Sequence, residues 1–196
     1  MREYIKLAGV LLIICAVACG LLGFVNELTV DVIAENNAKV AAQARMEVMA
    51  DADDITELID AATTEAVATQ AGVTTNEIAE IYVAKKGGEA IGYTFTVNSK
   101  GFGGTLNIIV GIDNNGTITG AKVVSHAETP GLGAKSTNPE WIGQYKGLTA
   151  DGNVSVVKTG TPAGQQILAI TGSTITSNAV TTGVNYAGQA FMALNK

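Results

Sequence analysis

The feature that most constrains this chain is an uncharged apolar run near its start, Leu7–Val25, with the sequence LAGVLLIICAVACGLLGFV. As a helix this run would be roughly 28 Å long, which is close to the hydrocarbon thickness of a bilayer. Arg2 and Lys6 precede it, whereas Glu27 and Asp31 follow it. Because positive charge is kept on the cytoplasmic side, the pattern predicts a single membrane-spanning helix with a cytoplasmic N-terminus and the rest of the chain outside.

A cleaved signal peptide is the alternative interpretation of the same run. Its apolar core would usually be shorter, with a small-x-small cleavage site soon after it. Ala16–Cys19 resembles a lipoprotein-type site only in part, because Ala16 stands where a larger aliphatic residue is usual. An uncleaved span is therefore favoured, and Cys15 and Cys19, four residues apart, are interpreted as packing residues within it.

The composition argues against several kinds of partner and site in the rest of the chain. The net charge is −6 over 196 residues, so a nucleic-acid partner is not expected. Both cysteines lie in the apolar run and His126 is the only histidine, which argues against a disulfide framework, an iron–sulfur or zinc site and a c-type haem. No catalytic residue and no metal site are predicted. The acidic segment Glu47–Glu80 lacks the glycine and spacing of an EF-hand and is interpreted as a solvated surface.

The rest of the chain alternates helical and strand patterns. Helical spacing predicts a helix from Thr29, a plausible N-cap, to about Ala50. Strands are predicted at Ile91–Val97, Leu106–Ile112 and Thr117–Val124, with a hairpin turn at Asn114–Gly116. Further elements are a short helix near Pro139–Tyr145, short strands at Val154–Val157 and Ile167–Ile170, and a last helix through Val180, Val184, Ala187, Phe191 and Leu194.

These elements predict the α+β class: one N-terminal transmembrane helix followed by one domain with an antiparallel sheet and flanking helices. The expected division is residues 1–27 for the N-terminus and span, 28–75 for a helical, acidic connecting segment, and 76–196 for the domain.

A hydroxyl-rich turn, Thr171–Thr174, leads through Ile175–Ser177 into the last helix. Free N–H groups at a helix start and the positive end of its dipole favour an anion such as a phosphate. A simple hydroxyl-rich helix cap is the alternative interpretation.

A second motif, His126–Gly133, is followed by Asn138–Trp141. Pro130 fixes its φ angle, while Gly131 and Gly133 permit positive φ or close backbone approach. Such a loop can lie against a flat ligand, with Trp141 or Tyr145 available to cover a ring. An ordinary tight turn is the alternative.

Together and in this order, the motifs resemble those of the FMN-binding subunits of two related respiratory complexes. These are the G subunit of the Rnf ferredoxin:NAD oxidoreductase and the C subunit of the sodium-pumping NADH:quinone oxidoreductase. The resemblance covers the whole chain, from the N-terminal span through Gly101–Gly104, VGIDNNG and HAETPGLGAK to TGST and ITSNAV. Ser173 stands where the family usually has alanine, and Leu168 stands where an aspartate is common. The length of the chain favours the Rnf-type subunit.

The resemblance implies an electron-transfer subunit with an FMN-binding domain on the outer face of the cytoplasmic membrane. It implies FMN bound covalently through a phosphodiester to Thr174, the position that matches the last threonine of the family's Ser/Thr-Gly-Ala-Thr motif. The implied partners are other membrane and iron–sulfur subunits, which together move Na⁺ or H⁺, and a flavin-attaching transferase. The residues expected around the cofactor are Glu128, Thr129, Gly131, Leu132, Gly133 and Trp141, with Thr171, Gly172, Ser173, Thr176 and Ser177 at the phosphate end.

His126 would pack against the ring, donate to it, or only shape the loop. Two alternatives come from other classes of protein. One is a non-catalytic module that holds a peptide or sugar at the cell surface. The other is a stand-alone flavin-domain reductase with a soluble donor.

Overall fold

Helix α1 (Arg2–Val48) opens the chain in a computed structural model that describes residues 2–196. The apolar run of α1 exposes its side chains, and this helix is long and apolar enough to span a membrane. The chain forms two compact units, one up to Val40 and the other from Ala41 to Lys196.

Thr29 does not begin a separate helix, so its prediction as an N-cap is wrong. It lies inside α1, where its hydroxyl donates to the carbonyl of Val25 at 2.9 Å. A threonine hydroxyl can bond the carbonyl four residues earlier and stay within a helix. The predicted end of this helix, near Ala50, is close to the observed end at Val48.

The second unit is built on a five-stranded antiparallel sheet. Its strands are β1 (Asp54–Leu58), β2 (Ile78–Lys86), β3 (Glu89–Lys100), β4 (Thr105–Asp113) and β5 (Ile118–Ser125), adjacent in that order. The three strands and the hairpin turn predicted between residues 91 and 124 are confirmed. β1 and β2 were not foreseen, and β1 lies within the segment expected to be a helical connection.

Two helices, α2 (Ala61–Ala71) and α4 (Thr174–Leu194), pack on one face of this sheet. The central core joins Phe95 and Ile108 of the sheet to Val180, Val184 and Phe191 of α4. The opposite face of β4 is covered as well, because Ile109 packs against Ala44 and Val48 at the end of α1. Burial on both faces explains why the centre of β4, Ile108–Val110, is an unbroken apolar run instead of alternating.

The segment between β5 and α4, residues 126–173, is mostly irregular. It contains a 3₁₀ turn at Gly133–Thr137, helix α3 (Pro139–Ile142), and the strands β6 (Ser155–Val157) and β7 (Gln166–Leu168). The last two confirm the predicted short strands within a few residues, but they pair in parallel and form a separate sheet. The predicted antiparallel sheet is confirmed in the five-stranded sheet, and the small parallel sheet was not foreseen. β7 leads directly to the turn that starts α4.

Candidate functional site

A cleft of about 380 Å³ lies at the N-terminal end of α4. Three parts of the chain meet there: the connection between β3 and β4, the loop after β5, and the first turn of α4. The residues that line it are Phe102, Glu128, Thr129, Leu132, Gly133, Gly172, Ser173, Thr174, Ile175 and Thr176. Both sequence motifs therefore contribute to one cavity.

The first turn of α4 is open to an anion. Ser173 occupies the N-cap position, but its side chain makes no capping hydrogen bond. The first N–H groups of a helix have no acceptor within the helix, and the dipole makes this end positive. These groups can therefore bind a phosphate.

The hydroxyl groups of this turn differ in what they contact. The Thr176 hydroxyl donates to Glu128 Oε2 at 2.8 Å. The Ser177 hydroxyl donates to the carbonyl of Ser173 and accepts the N–H of Ile170, at 3.0 and 2.9 Å. Both side chains are buried, so both hydroxyls serve the internal structure of the turn.

Thr174 is the exception among them. It is the first residue of α4, it is half-buried, and it lines the cleft. Within residues 2–196, no hydrogen bond engages its hydroxyl. This hydroxyl is therefore accessible for chemistry or for a ligand.

Glu128 joins the two motifs. Its carboxylate is only 6% exposed and accepts the N–H of Gly103 at 3.1 Å as well as the Thr176 hydroxyl. A methyl group at Gly133 would overlap this carboxylate and lie 2.6 Å from Thr176 Oγ1. Glycine at 133 thus permits the close approach of the loop to α4, as the sequence suggested.

The loop after β5 is shaped mainly by its own backbone. Leu132 and Ala134 both donate their N–H groups to the carbonyl of Thr129 at 3.2 Å. The N–H of Glu128 donates to His126 Nδ1 at 3.2 Å. Three roles were considered for His126, and this bond supports the third, in which His126 shapes the loop.

Three large apolar side chains line the cleft while exposed to solvent: Phe102 (71%), Ile175 (57%) and Leu132 (46%). Exposed apolar groups clustered in a concave surface mark a ligand or partner site. Phe102 and Ile175 were missed as site residues. The available signal for Phe102 was a single large apolar residue in the glycine-rich run Gly101–Gly104.

Trp141 and Tyr145 do not line this cleft, contrary to the sequence-based expectation. Trp141 Nε1 donates to the carbonyl of Leu168 at 2.8 Å, and its ring lies edge-on to that of Tyr145. Tyr145 is fully buried and bonds to Thr181 Oγ1 at 2.8 Å. Burial raises the pKa of Tyr145, so its hydroxyl stays neutral. Tyr145 therefore contacts α4 from the core, whereas Trp141 contacts β7.

The remaining predicted residues lie beside or beneath the cavity. Thr171 and Gly131 are exposed and do not line it. Ser177 lies beneath the turn in the core. The structure thus brings together Glu128, Thr129, Leu132, Gly133, Gly172, Ser173, Thr174 and Thr176.

Comparison with known proteins gives consistent matches. Residues 101–189, which include every residue that lines the cleft, match the FMN-binding domain family. The chain is 40% identical to the G subunit of the Na(+)-translocating ferredoxin:NAD(+) oxidoreductase complex of Acetobacterium woodii, over 97% of this chain and 93% of that protein.

A second relative is the G subunit of the proton-translocating ferredoxin:NAD(+) oxidoreductase complex of Clostridium ljungdahlii, which is 42% identical over 54% of this chain and 56% of that protein. Among solved structures, the fold is similar to that of the C subunit of the Na(+)-translocating NADH-quinone reductase of Parabacteroides distasonis. The TM-score is 0.51 and the identity 27%, over 59% of this chain and 61% of that chain.

Proposed function

We propose a function from the premise that this chain belongs to the family of G subunits of ion-translocating ferredoxin:NAD(+) oxidoreductase complexes. The protein is the FMN-carrying electron-transfer subunit of such a complex, and it has no complete activity alone. The observation that carries this proposal is the cleft at the start of α4, which combines an open anion site with exposed apolar side chains.

The residues present fit FMN, which has a flat, largely apolar ring system at one end and a phosphate at the other. The uncapped first turn of α4 supplies free N–H groups for the phosphate end. Phe102, Leu132 and Ile175 supply apolar surface for the ring. A module that binds a peptide or a sugar would not require an uncapped helix N-terminus beside a cluster of exposed apolar side chains.

We further propose that the FMN is covalent, through a phosphodiester to Thr174 Oγ1. Thr174 has the half-buried, unengaged hydroxyl in the cleft, whereas Thr176 and Ser177 have theirs committed to hydrogen bonds. Chemical modification at Thr174 would therefore leave the internal bonds of the turn intact. A separate flavin-attaching transferase would have access to it from the open side.

When bound, FMN supplies reversible electron transfer. The residues of the chain bind and orient it. Gly172, Ser173 and Thr176 would hold the phosphate end, while Glu128, Thr129, Leu132 and Gly133 would shape the ring end. Gly131 and Thr171 act through the backbone of their loops, Ser177 acts through the turn it stabilises, and none of these residues takes a catalytic role.

The proposed location follows from α1. Its apolar run would span the cytoplasmic membrane, with the N-terminus in the cytoplasm and the FMN-binding domain on the outer face, beside other membrane and iron–sulfur subunits. A reporter fused after Lys196 should register as external. A cytoplasmic signal from that reporter would contradict the orientation.

The intact mass of the natively expressed full chain tests the cofactor proposal. The expected mass is that of the polypeptide plus one FMN less one water, and the denatured protein should fluoresce in a gel. Release of the flavin on denaturation would contradict the covalent link, but it would leave the proposal that the protein binds FMN in place. A chain with no flavin in either form would contradict the proposed function.

Membership of a sodium-pumping NADH-quinone reductase is the second candidate, because the fold resembles that of the C subunit from Parabacteroides distasonis. Sequence identity over nearly the full chain favours the ferredoxin:NAD(+) family. Isolation of the native complex and identification of its other subunits separates the two.

A further inference from the structure

We propose that Phe102 is the aromatic residue that stacks on the flavin ring, on a loop that Glu128 holds in place. This inference rests on the proposed function and deepens it. It replaces Trp141 with a residue that the sequence motifs did not indicate.

The exposure of Phe102 requires an explanation. At 71% exposed, it is the most exposed large apolar side chain between residues 41 and 196. A solitary apolar side chain on a surface needs no partner, but Phe102 is not solitary. It shares the cleft with Leu132 and Ile175, which are also exposed.

The loop that carries Phe102 has a defined shape. The N–H of Gly101 donates to the carbonyl of Gly104 at 2.8 Å, and the N–H of Gly103 donates to Glu128 Oε1 at 3.1 Å. A methyl group at Gly103 would overlap the carbonyl of Ala127. The loop is thus packed against the segment that contains Ala127 and Glu128, on the opposite side of the cleft. The phenyl ring of Phe102 is therefore already ordered before a ligand binds. This order reduces the entropy cost of the contact.

The other aromatic residues of the matched region are committed elsewhere. Trp141 donates to Leu168, Tyr145 is buried beneath α4, and Tyr186 lines a different cavity together with Glu77. Among residues 101–189, Phe102 alone is an aromatic residue that lines the cleft. Aromatic rings prefer offset or edge-on contact with another ring, and the flavin is the aromatic partner that this cleft would hold.

The choice between the flavin and a neighbouring protein follows from location. Phe102 lines the same cavity as Thr174, to which the flavin would be tethered. A tethered ligand has a high effective concentration at nearby surfaces. The flavin ring would therefore occupy the face of the Phe102 ring in preference to a neighbouring protein.

A tryptophan substitution provides the test, in the full chain purified with its native flavin. An indole in contact with an excited flavin transfers an electron to it and recovers that electron, which quenches the fluorescence. Phe102→Trp should lower the flavin fluorescence of the native protein several-fold. The matched control is Met192→Trp, because Met192 is a half-exposed apolar residue of α4 outside the cleft. This control should leave the fluorescence unchanged.

Two further variants test the parts of the proposal. Phe102→Leu keeps apolar volume without the ring and should shift the flavin absorption spectrum. Adding Glu128→Leu to Phe102→Trp removes both acceptor oxygens, including the one that binds the Gly103 N–H, and should restore part of the fluorescence because the loop is released.

The intact mass of each protein separates this inference from the proposed function. A wild-type chain without FMN would overturn both. Unchanged fluorescence in a fully flavinylated Phe102→Trp protein would overturn only the stacking and would assign Phe102 to a protein partner. Both Phe102 variants could also lose their flavin while the wild-type chain keeps its own. That result would overturn the stacking proposal, since Phe102 would then be required for attachment of the flavin.

Discussion

At the scale of single residues, the turn before α4 shows how neighbouring hydroxyl groups acquire different roles. Thr176 and Ser177 are buried and hydrogen-bonded, and each stabilises the first turn. Thr174 is half-buried and its hydroxyl is not engaged by residues 2–196. A hydroxyl that stabilises nothing is available for modification at little cost in folding.

The first prediction concerns this residue. Thr174→Ala should abolish covalent flavin while lowering the unfolding free energy by only about 0.5 kcal/mol or less, because the hydroxyl that is lost makes no hydrogen bond within residues 2–196. Thr174→Ser should retain some flavin, because the nucleophilic hydroxyl remains. Fluorescence in a denaturing gel and thermal unfolding measure the two effects.

Thr171→Ala is the matched control, since Thr171 is an exposed hydroxyl residue of the same turn that does not line the cleft. It should keep its full flavin content. Covalent flavin in the Thr174→Ala protein would show that another residue is the attachment site.

The second prediction concerns Gly131, which has a φ of +79° and open space around the position of a Cβ. Gly131→Val would therefore be strained by backbone conformation and not by overlap, at a cost of about 1–3 kcal/mol. The strain should move Leu132, which lines the cleft, and alter the flavin absorption spectrum or midpoint potential with near-normal covalent loading.

Gly72 provides the control, because it has a φ of +77° in equally open space but lies at the C-cap of α2. Gly72→Val should lower the melting temperature similarly and leave the flavin spectrum unchanged. If Gly131→Val also left spectrum and potential unchanged, the loop would be only a turn.

At the scale of elements, Glu128 connects the two loops of the cleft to the start of α4. One carboxylate oxygen accepts from Gly103 in the β3–β4 connection, and the other accepts from Thr176 in α4. A buried carboxylate with both oxygens satisfied stabilises the arrangement, whereas loss of one partner leaves a desolvated group unpaired.

The third prediction measures this connection. In a double-mutant cycle of Glu128→Leu and Thr176→Val, the coupling should be at least about 1 kcal/mol, since leaving a buried hydrogen-bonding group without its partner costs about 1–3 kcal/mol. Thermal unfolding of the four proteins in detergent gives the coupling. Additive effects of the two substitutions would mean that the bond does not link the loop to α4.

At the scale of the whole molecule, the chain divides within α1. The unit from Ala41 onward includes the last turns of α1, where Ala44 and Val48 are buried against Ile109 of the sheet. Arg45 lies 3.8 Å above the ring of Tyr82. The end of this helix is thus part of the core of the domain.

The fourth prediction follows from that division. Deletion of residues 1–26 or of residues 1–40 should yield soluble domains of equal stability. Deletion of residues 1–48 should lower the unfolding free energy by about 3 kcal/mol or more, because the burial of Val48 and the contact of Arg45 with Tyr82 are lost. Denaturant unfolding of the three proteins compares them, and equal stability of all three would contradict the role of this segment.

The sequence by itself determined the features that depend on local pattern. The apolar run of α1, the alternation of β3, the hairpin turn after β4 and the helical spacing of α4 each follow from residues close in the chain. The attachment position proposed here was also accessible to sequence reasoning, because Thr174 belongs to a contiguous motif whose resemblance could be recognised. The continuity of α1 through Thr29 was missed, since a threonine suits an N-cap as well as a helix interior and only the wider helical context decides.

Only the tertiary structure decided which side chains share the cleft. Glu128 meets Thr176 and Gly103 across long stretches of chain, and no local pattern encodes those contacts. The same holds for Trp141: a large aromatic near the motif suggested a ring contact, but its indole N–H bonds Leu168 because β7 passes beside α3. Phe102 reaches the cleft because Glu128 holds its loop there. Local propensity acts over a few residues. Whether an aromatic side chain packs in the core or lines the cleft depends instead on how distant elements pack.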